Sequence, residues 1–384
     1  MGDTTEILVE DDDRTVLFNQ DAFSGDDYVE QIRKQYPDLI ILEKLGRGSY
    51  GAVYRCVKTD TGTGLQTGFA IKVVEITARS AEAENTIAKE GITPEIYCER
   101  KRDEAISEIR LLNELKSPHI VHINDFDVVE KKDEIGFIIF IKMDVLTPLS
   151  SLLKDCESYT KKDAEKIGRK LCADMCDALK VCESHKIIHR DIKPENIFYS
   201  RTENKIDFYL GDFGIARVLE ETEVKMTAIG TVSYAAPEVF MLKNYDNRAD
   251  FYSLGIVLYQ VVNHGRLPFM PRYPQQTTVA DSTNAQSMRL NPNAKLEAPD
   301  NASSKLAAVI TKLCAFAPDN RYRTVEDILM GLNDGKAVIV VDGNDVPIKE
   351  NIGLKVISLL LLLAATGAIG FQIFNSVKDM LNTL

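Results

Sequence analysis

Residues 189–196 read HRDIKPEN and gather five ionisable side chains, one asparagine and one proline into eight positions. The apolar pairs Ile187–Ile188 and Ile197–Phe198 flank this stretch. Because apolar flanks favour burial and a buried charge without a partner is unfavourable, the charged groups need partners that hold them in place. The stretch therefore predicts a rigid polar loop that is anchored between two buried segments and faces a charged ligand.

A second polar group that suits such a ligand follows sixteen residues after Asn196, at Asp212 in the stretch LGDFGIAR. Asn196 and Asp212 supply the hard oxygen atoms that suit a Mg²⁺ ion bridging phosphate groups. Asp191 can accept or orient the proton of an attacking hydroxyl, and Lys193 can neutralise charge on a transferring phosphoryl group. These residues together predict a metal-assisted phosphoryl-transfer site.

The glycine-rich stretch GRGSYG at 46–51 fits the pattern GxGxxG, which dinucleotide-binding domains share. A dinucleotide site needs a helix directly after the glycines, whereas the following stretch GAVYRCV predicts a strand. Gly46, Gly48 and Gly51 then lie at a turn between two strands. Such a turn can cover a nucleotide, because its backbone N–H groups approach phosphates without side-chain obstruction. An ordinary hairpin is the alternative.

Lys72 lies inside the apolar strand FAIKVV, where an ammonium group needs an acidic partner. Glu108 shares a helix face with Leu112 and Leu115 and is the preferred candidate, with Glu104 one turn earlier as the alternative. A Lys72–Glu108 pair could orient the ammonium towards phosphate oxygens. A purely structural ion pair is the competing interpretation.

The net charge of −12 is concentrated near the N-terminus, where residues 1–38 hold 11 Asp/Glu against 3 Lys/Arg. A segment of this charge repels nucleic acid and anionic lipid, and no basic patch elsewhere favours nucleic acid. We therefore expect no nucleic-acid partner. The run EDDD at 10–13 predicts a solvated, mobile arm.

The seven cysteines are irregularly spaced and form no CxxC motif, which argues against a disulfide framework and for a reducing compartment. Cys172 and Cys176 are four residues apart on a predicted helix. A metal or redox pair is one interpretation. Small buried hydrophobic side chains are favoured, because free cysteine is among the most buried residue types.

Residues 356–374, VISLLLLLAATGAIGFQIF, contain no charge over 19 positions. As a helix they would span about 28 Å, close to the ~30 Å hydrocarbon core of a bilayer, so they predict a transmembrane helix. A buried core helix is the alternative. Ala364 and Ala368 form one small-xxx-small step, which weakly favours helix pairing and a possible homodimer.

The charges that flank this segment predict its orientation in the membrane. Lys336, Lys349 and Lys355 precede it, against Lys378 alone in the tail at 375–384. The positive-inside rule places the side richer in lysine in the cytoplasm. We therefore expect a single-pass membrane protein whose main domain faces the cytoplasm.

Hydrophobic patterning predicts an α+β fold with strands first and helices later. Strands are expected at LIILEKLG, GAVYRCVK, FAIKVVEI, HIVHINDFDVV and IGFIIFIKMDVL, with an amphipathic helix over 99–116. Residues 77–98 are polar and show no clear pattern. Helices are predicted at 163–185, 249–263, 303–315 and 324–332, a short hairpin at IFYS…FYLGD, and mainly loop at 264–300, which is rich in proline.

The ordered set GRGSYG, FAIK, SEIRLL, HRDIKPEN, DFG and AAPE resembles the eukaryotic-type protein kinases over about residues 40–332. The sequence resembles the serine/threonine subfamily in having a lysine, Lys193, two positions after Asp191. It resembles the bacterial branch of that subfamily in the stretch GRLPFMP at 265–271. The resemblance implies a two-lobed fold with a small antiparallel-sheet N-lobe and a mainly helical C-lobe. The expected divisions are an acidic arm at 1–38, the N-lobe at 39–146, the C-lobe at 147–332, a juxtamembrane linker at 333–355, the transmembrane helix at 356–374 and the tail at 375–384.

The resemblance also implies ATP and Mg²⁺ as cofactors, protein substrates, and roles for matching residues. Val53, Ala70 and Phe198 would enclose the adenine, with Met143 as gatekeeper and the backbone from Asp144 to Leu146 as hinge. Thr231 would lie beside Asp191 and Lys193. The internal scaffold would include His189, Phe213, Leu112 and Asp250, and Glu238 would pair with Arg321.

The resemblance implies a serine/threonine protein kinase, with a pseudokinase scaffold and a small-molecule kinase of similar fold as rivals. The presence of Lys72, Asp191, Asn196 and Asp212 argues against the first rival, and AAPE with Thr231 argues against the second. Arg190 directly precedes Asp191 and is suited to an anion. Phosphorylated Thr227 could supply that anion, with Thr222 as the alternative site and unmodified threonines as the competing interpretation.

Overall fold

The structure, a computed structural model, places an α+β lobe before a mainly helical lobe in the chain. It describes residues 8–11, 14–17, 26–48, 51–203, 205–213, 233–333, 338–341 and 344–347.

The acidic N-terminal segment contains regular structure that its composition did not indicate. Strands β1 (Leu8–Asp11) and β2 (Arg14–Leu17) form an antiparallel hairpin around the run predicted as a mobile arm. Helix α1 (Asp27–Gln35) follows, and the Asp26 carboxylate caps it by accepting a hydrogen bond from the backbone N–H of Tyr28.

Helix α1 belongs to the core of the N-terminal lobe, so the lobe extends upstream of the boundary expected at Leu39. The side chains of Val29 and Ile32 are fully buried and pack in one cluster with strand residues of the following sheet. Only two apolar residues of α1 are fully buried, and most of its other residues are charged or polar. For this reason the hydrophobic pattern of the sequence did not predict the helix.

The N-terminal lobe is built on an antiparallel sheet of five strands in the described residues, in the order β3-β4-β5-β7-β6. Side chains of β4 alternate between the two faces, with Ala52 and Tyr54 fully buried on the face that α1 covers. Each face therefore carries a separate hydrophobic cluster. The strands are β3 (Leu39–Gly48), β4 (Gly51–Thr59), β5 (Gln66–Thr77), β6 (Ile123–Glu130) and β7 (Gly136–Met143).

Two helices fill the stretch between β5 and β6 that the sequence left partly unassigned. Helix α2 (Ala81–Glu90) is capped by Ser80 and ends at Gly91, whose φ of 66° lies in the left-handed region. Helix α3 (Pro94–Glu114) is capped by Thr93 and begins five residues before the helix predicted at 99–116. Its buried residues Ala105 and Ile109 pack against the second face of the sheet.

The C-terminal lobe is mainly helical, as predicted, with its longest helix at the centre. Helix α5 buries the predicted face made by Ala164, Ile167, Leu171, Met175 and Leu179. The lobe contains β8 (Thr147–Pro148), α4 (Leu149–Leu153), α5 (Lys161–Ser184), β9 (Ile197–Arg201), β10 (Ile206–Leu210), α6 (Pro237–Phe240), α7 (Arg248–Val261), α8 (Val279–Arg289), α9 (Ser304–Leu313) and α10 (Val325–Leu332).

The expectation that residues 264–300 are mainly loop is wrong for their middle part, which forms α8. Thr278 and Asp281 make a reciprocal capping box at its start, with the Thr278 hydroxyl and the Asp281 carboxylate each satisfying a backbone N–H. Prolines cluster on both sides of this helix, so the proline count of the whole segment concealed it.

Cys172 and Cys176 are both fully buried on α5, as small hydrophobic residues would be. A hydrogen bond with Cys172 and burial both raise the pKa of the Cys176 thiol, which keeps it protonated. Within the described ranges no group of histidine, cysteine and acidic residues is arranged to bind a metal ion. The interpretation as buried hydrophobic side chains is therefore supported.

Beyond Ile328 the structure describes the end of α10 and a hairpin of β11 (Val338–Val341) and β12 (Asn344–Pro347). Among the helices of the described residues, none is both long and apolar enough to cross a membrane. The predicted transmembrane segment 356–374 and the tail 375–384 lie outside the described residues.

Candidate active site

A cleft of about 490 Å³ lies between the sheet of the N-terminal lobe and the loops of the C-terminal lobe. The structure brings to this cleft nearly all the residues predicted to bind a nucleotide and a metal ion. The end of the β3–β4 hairpin that carries Gly46, Gly48 and Gly51 is called the glycine ribbon below. Gly48 lies at the end of this ribbon, where it pairs with Gly51. The predicted residues that line the cleft are Gly46, Gly51, Val53, Ala70, Lys72, Met143, Asp144, Leu146, Asn196, Phe198 and Asp212.

Two glycines are required by close packing around the cleft. A Cβ atom on Gly51 would lie 1.7 Å from the carbonyl oxygen of Val73, so only glycine lets β4 approach β5 this closely. A Cβ atom on Gly211 would lie 2.8 Å from Val121 and 2.9 Å from Phe198. Glycine at 211 therefore allows the strand that leads to Asp212 to pass beneath the cleft.

Lys72 reaches the cleft because of the alternation of β5. Ile71 and Val73 are buried on the face that α1 covers, which directs Lys72 to the opposite face. There its ammonium forms an ion pair with the carboxylate of Asp212. Lys72 is thus placed at the phosphate end expected for it, next to the candidate metal ligand.

The structure gives Lys72 an acidic partner that the sequence did not predict for it. Its ammonium pairs with Asp212, while Glu108 lies on α3 as expected and its role as partner stays a prediction. The alternative, Glu104, lies 3.2 Å from Lys101 and interacts with that residue instead. The spacing in the sequence placed Glu104 and Glu108 on one helix, as observed in α3. It could not show that Asp212, far along the chain, lies next to the Lys72 ammonium.

Asp212, whose side chain is 43% exposed, is held in its charged form by Lys72. Burial alone raises the pKa of this carboxyl group, but the adjacent Lys72 outweighs that effect, and the net pKa lies below the usual range. Its backbone is left-handed, with φ 56°. A charged carboxylate with an unusual backbone angle is consistent with a group positioned for a cation.

The loop HRDIKPEN places its polar groups around Asp191. The ammonium of Lys193 lies 2.9 Å from the Asp191 carboxylate. The Asn196 amide donates to both the backbone oxygen of Asp191, at 2.8 Å, and its carboxylate, at 2.9 Å. These contacts fix the direction of the Asp191 carboxylate, and they join the candidate base to the candidate metal ligand.

A buried carboxylate from α7 holds this loop in place. Asp250 accepts hydrogen bonds from the backbone N–H groups of His189, at 2.7 Å, and Arg190, at 2.8 Å. The His189 ring contacts the carbonyl oxygen of Gly211 at 3.0 Å and lies edge-on to Phe213, with ring centroids 4.6 Å apart. The backbone of the charged stretch is therefore anchored by Asp250, and the His189 ring links it to Gly211 and Phe213.

Arg190 takes part in the same anchoring through its backbone. Its φ of 69° lies in the left-handed region, which the two hydrogen bonds to Asp250 stabilise. The guanidinium lies over the ring of Tyr245, 5.6 Å from its centroid. Thr222, Thr227 and Thr231 lie outside the described residues.

The predicted pair of Glu238 and Arg321 is confirmed. The two guanidinium nitrogens of Arg321 donate to the two carboxylate oxygens of Glu238 at 2.6 and 2.8 Å. The Arg321 side chain is fully buried and also donates to the carbonyl oxygens of Ala315, Arg248 and Phe316. This network joins α6 to the 315–321 segment within the C-terminal lobe.

Sequence reasoning missed several residues that line the cleft, including Val121, Ile123, Ser150 and Glu195. Glu195 adjoins Asn196 inside HRDIKPEN, so its position in the motif was an available signal. Val121 lies just before β6 and Ile123 is its first residue, and their position at the cleft depends on tertiary packing that periodicity does not contain.

A two-lobed domain whose cleft unites a glycine ribbon, Lys72, Asn196 and Asp212, with Asp191 hydrogen-bonded to that asparagine, defines a phosphotransferase site. Residues 39–330 match the family model described as the protein kinase domain, which covers more than half of the chain. The chain therefore belongs to the protein kinase family. The predicted eukaryotic-type kinase fold is thereby confirmed.

Several curated kinases, one of them named as a serine/threonine-protein kinase, are similar to this chain. The kinase PknB of Mycolicibacterium smegmatis is 34% identical over 230 residues, which is 58% of this chain and 35% of that protein. Cyclin-dependent kinase-like 1 of Caenorhabditis elegans is 28% identical over 76% of this chain and 79% of that protein. The carbon catabolite-derepressing protein kinase of Candida tropicalis is 31% identical over 60% of this chain and 32% of that protein.

These similarities confirm the serine/threonine class of the kinase domain. The chain spans about a third of the length of the bacterial and yeast relatives. Because relatives from bacteria and from eukaryotes both match, the bacterial branch stays a prediction.

The buried pair of Glu238 and Arg321 yields a stability prediction. Replacing Glu238 with Gln leaves the buried Arg321 guanidinium without its charged partner. We expect the free energy of unfolding to fall by about 3–5 kcal/mol. Urea denaturation of the purified chain, followed by circular dichroism, measures this loss.

The exposed pair of Arg272 and Glu297, with side chains 66% and 71% exposed, provides the matched control. Glu297→Gln should change the free energy of unfolding by about 1 kcal/mol or less. Equal losses in the two variants would contradict a special role for the buried pair.

Proposed function

We propose that this chain is a serine/threonine protein kinase that transfers the γ-phosphoryl group of Mg·ATP to hydroxyl groups of proteins. The observation that carries the proposal is the convergence of Lys72, Asn196 and Asp212 on one cleft beneath a glycine ribbon, with Asp191 hydrogen-bonded to Asn196. The serine/threonine kinases among its relatives support the same activity.

The residues of the cleft fit ATP and Mg²⁺. Val53, Ala70 and Phe198 supply apolar surfaces for a flat base, and the ribbon at Gly51 has no side chain to obstruct phosphates. Asn196 and Asp212 would hold the metal ion through oxygen atoms, in keeping with the preference of Mg²⁺. When bound, this ion would neutralise charge that develops on the phosphate oxygens.

The residues of the chain then perform positioning and proton handling. Lys72 would turn its ammonium to phosphate oxygens, which compete with Asp212 for this cation. Asp191 would orient the substrate hydroxyl and accept its proton, while Lys193, 2.9 Å from that carboxylate, would neutralise negative charge on the transferring group. Asn196, which lines the cleft, would hold the Asp191 carboxylate in place through its hydrogen bond of 2.9 Å.

The assigned roles predict that Asp191→Asn and Lys72→Met each reduce the rate of phosphoryl transfer by about 10²–10⁴-fold, because each removes an acid–base or electrostatic group. Transfer is measured by mass spectrometry of phosphate on the protein after incubation with Mg·ATP, with folding checked by circular dichroism.

Asp133→Asn and Lys58→Met are the matched controls, since these residues are exposed and lie outside the cleft. Both controls should keep the wild-type rate. A well-folded Asp191→Asn variant with near wild-type turnover would refute the role given to this carboxylate.

A regulatory role for Thr227, with Thr222 as the alternative, forms part of the proposal. The support is the sequence position of these threonines between Asp212 and Glu238, together with Arg190 beside the catalytic Asp191. A phosphate adds up to two negative charges and three acceptor oxygens that arginine binds well. Autophosphorylation would then order this segment for catalysis.

The double variant Thr222→Ala, Thr227→Ala is expected to lose activity by about tenfold or more, since one hydrogen bond to a charged group is worth about 1.5–3 kcal/mol. Kinase assays and phosphopeptide mapping of the wild-type chain measure the two parts of the proposal. Thr61→Ala, in an exposed loop, is the control. Unchanged activity with no phosphate at either threonine would refute it.

We further propose that residues 356–374 anchor the kinase in a membrane, with the kinase domain on the cytoplasmic side and residues 333–355 as linker. The support is the 19-residue uncharged run and the three lysines on its N-terminal side against one beyond it. The Ala364 and Ala368 step supports pairing of two such helices. Concentration at a membrane would raise the local density of kinase and substrate.

The anchor predicts that the chain stays with membranes through carbonate washing and that a chain ending at Lys355 does not. Protease added to intact cells should leave the kinase domain undigested, and disrupting the membrane should expose it. Release of the full chain by carbonate would disprove the anchor. Digestion of the kinase domain in intact cells would disprove the orientation.

A further inference from the structure

Helix α1 lies across the outer face of the N-terminal sheet and is attached to several of its strands. Three hydrogen bonds between a phenol and a carboxylate make these attachments. Tyr28 donates to Glu75 of β5 at 2.8 Å, and Tyr36, directly after α1, donates to Asp127 of β6. Tyr54 of β4 donates to Asp26, the cap of α1, at 2.8 Å.

The cap residue Asp26 makes the attachment to the two strands of the glycine ribbon. Its carboxylate accepts from Tyr54 of β4 and from the ammonium of Lys44 of β3, the latter at 2.7 Å. That ammonium also lies 5.3 Å from the centroid of the Tyr54 ring. The Asp26 carboxylate thus joins β3 and β4, the two strands that form the ribbon, to the start of α1.

The opposite face of the same strands forms the roof of the nucleotide cleft. Tyr54 packs under α1, whereas its neighbour Val53 lines the cleft. Val53 is paired in register with Lys72, the residue that meets the candidate metal ligand Asp212. Because a strand side chain at one position fixes the direction of its neighbours, a shift of Tyr54 moves Val53.

We infer that Asp26 is a positioning residue for nucleotide binding, which holds the glycine ribbon over the cleft through Lys44 and Tyr54. The inference rests on the proposed kinase function and extends it to a residue upstream of the span 39–330 that matches the family. Asp26 does not touch the cleft, and its effect passes through the outer face of the sheet.

The position of Asp26 suits such a role because its side-chain partners outside α1, Lys44 and Tyr54, both belong to the strands of the ribbon. A carboxylate that accepts from an ammonium and a phenol restrains both donors more strongly than a neutral acceptor does. Glu75 and Asp127, by contrast, bind α1 to β5 and β6, which lie beyond the ribbon. The loss of Asp26 should therefore loosen the ribbon while α1 stays attached to the rest of the sheet.

The test uses the full chain with Asp26→Asn, since asparagine is as good a helix cap as aspartate but lacks the charge that Lys44 and Tyr54 contact. Tyr54→Phe removes the phenol from the other side while keeping the ring. Asp27→Asn, the next residue on the same helix and exposed to solvent, makes the same charge change without these contacts.

Binding of a fluorescent ATP analogue in the presence of Mg²⁺ is measured directly, together with the KM for ATP, kcat and the unfolding midpoint. We expect Asp26→Asn to raise the Kd of the analogue and the KM for ATP about fivefold to tenfold, with kcat within about twofold. Asp27→Asn should match the wild type. Tyr54→Phe should add little to the effect of Asp26→Asn, because it removes a contact that the loss of the charge at Asp26 has already weakened.

The outcomes separate this inference from the proposed function. If the wild type binds the analogue and Asp26→Asn binds it equally well, or only its unfolding midpoint falls, Asp26 is merely structural and the inference is wrong. Independent effects of Asp26→Asn and Tyr54→Phe that multiply would also overturn it. If the wild type fails to bind the analogue, the proposed function itself is refuted and this inference with it.

Discussion

The geometry of the cleft depends on one buried carboxylate, that of Asp250. It is 2% exposed and accepts the backbone N–H groups of His189 and Arg190, which places the loop that carries Asp191. Burial raises the pKa of this carboxyl group, while the nearby His189 and the two N–H donors act in the opposite direction. Each hydrogen bond to a charged acceptor contributes about 1.5–3 kcal/mol, enough to keep Arg190 in its left-handed conformation.

A second constraint is the two-faced character of the N-terminal sheet. One face of β4 and β5 supports the cleft through Val53 and Lys72, while the other packs against α1 through Tyr54 and Ile71. Neither face is free to change without the other, because alternate residues of the same strands serve both. The helix upstream of the family match is therefore part of the folded kinase domain.

The residues of the site could be predicted from the sequence because their motifs are local, whereas their ionic partners could not. HRDIKPEN and DFG predicted Asp191, Asn196 and Asp212 as neighbours of one ligand. The structure places Asn196 and Asp212 at one cleft and Asp191 in hydrogen-bond contact with Asn196. The pairing of Lys72 with Asp212 depends on how the two lobes meet, which spacing along the chain does not encode.

Helices without a strong apolar periodicity are the other elements that could not be predicted from the sequence. Helix α1 has only two fully buried apolar residues, and α8 is flanked by prolines that suggested loop. Helix α2 and the first turn of α3 are polar on most sides, and their caps, Ser80 and Thr93, were the available signals. Their positions are decided by packing against the sheet rather than by local propensity.

The Glu238–Arg321 pair also constrains the order in which the chain can finish folding. The two residues are 83 positions apart, so on a ribosome Glu238 emerges long before its partner. At about 5–20 residues per second the delay is about 4–17 seconds. During that interval the lobe lacks the cation that makes burial of Glu238 favourable, and its core cannot close around this carboxylate. Completion of the C-terminal lobe is thereby tied to the synthesis of residues near its end, which makes it a late and cooperative event.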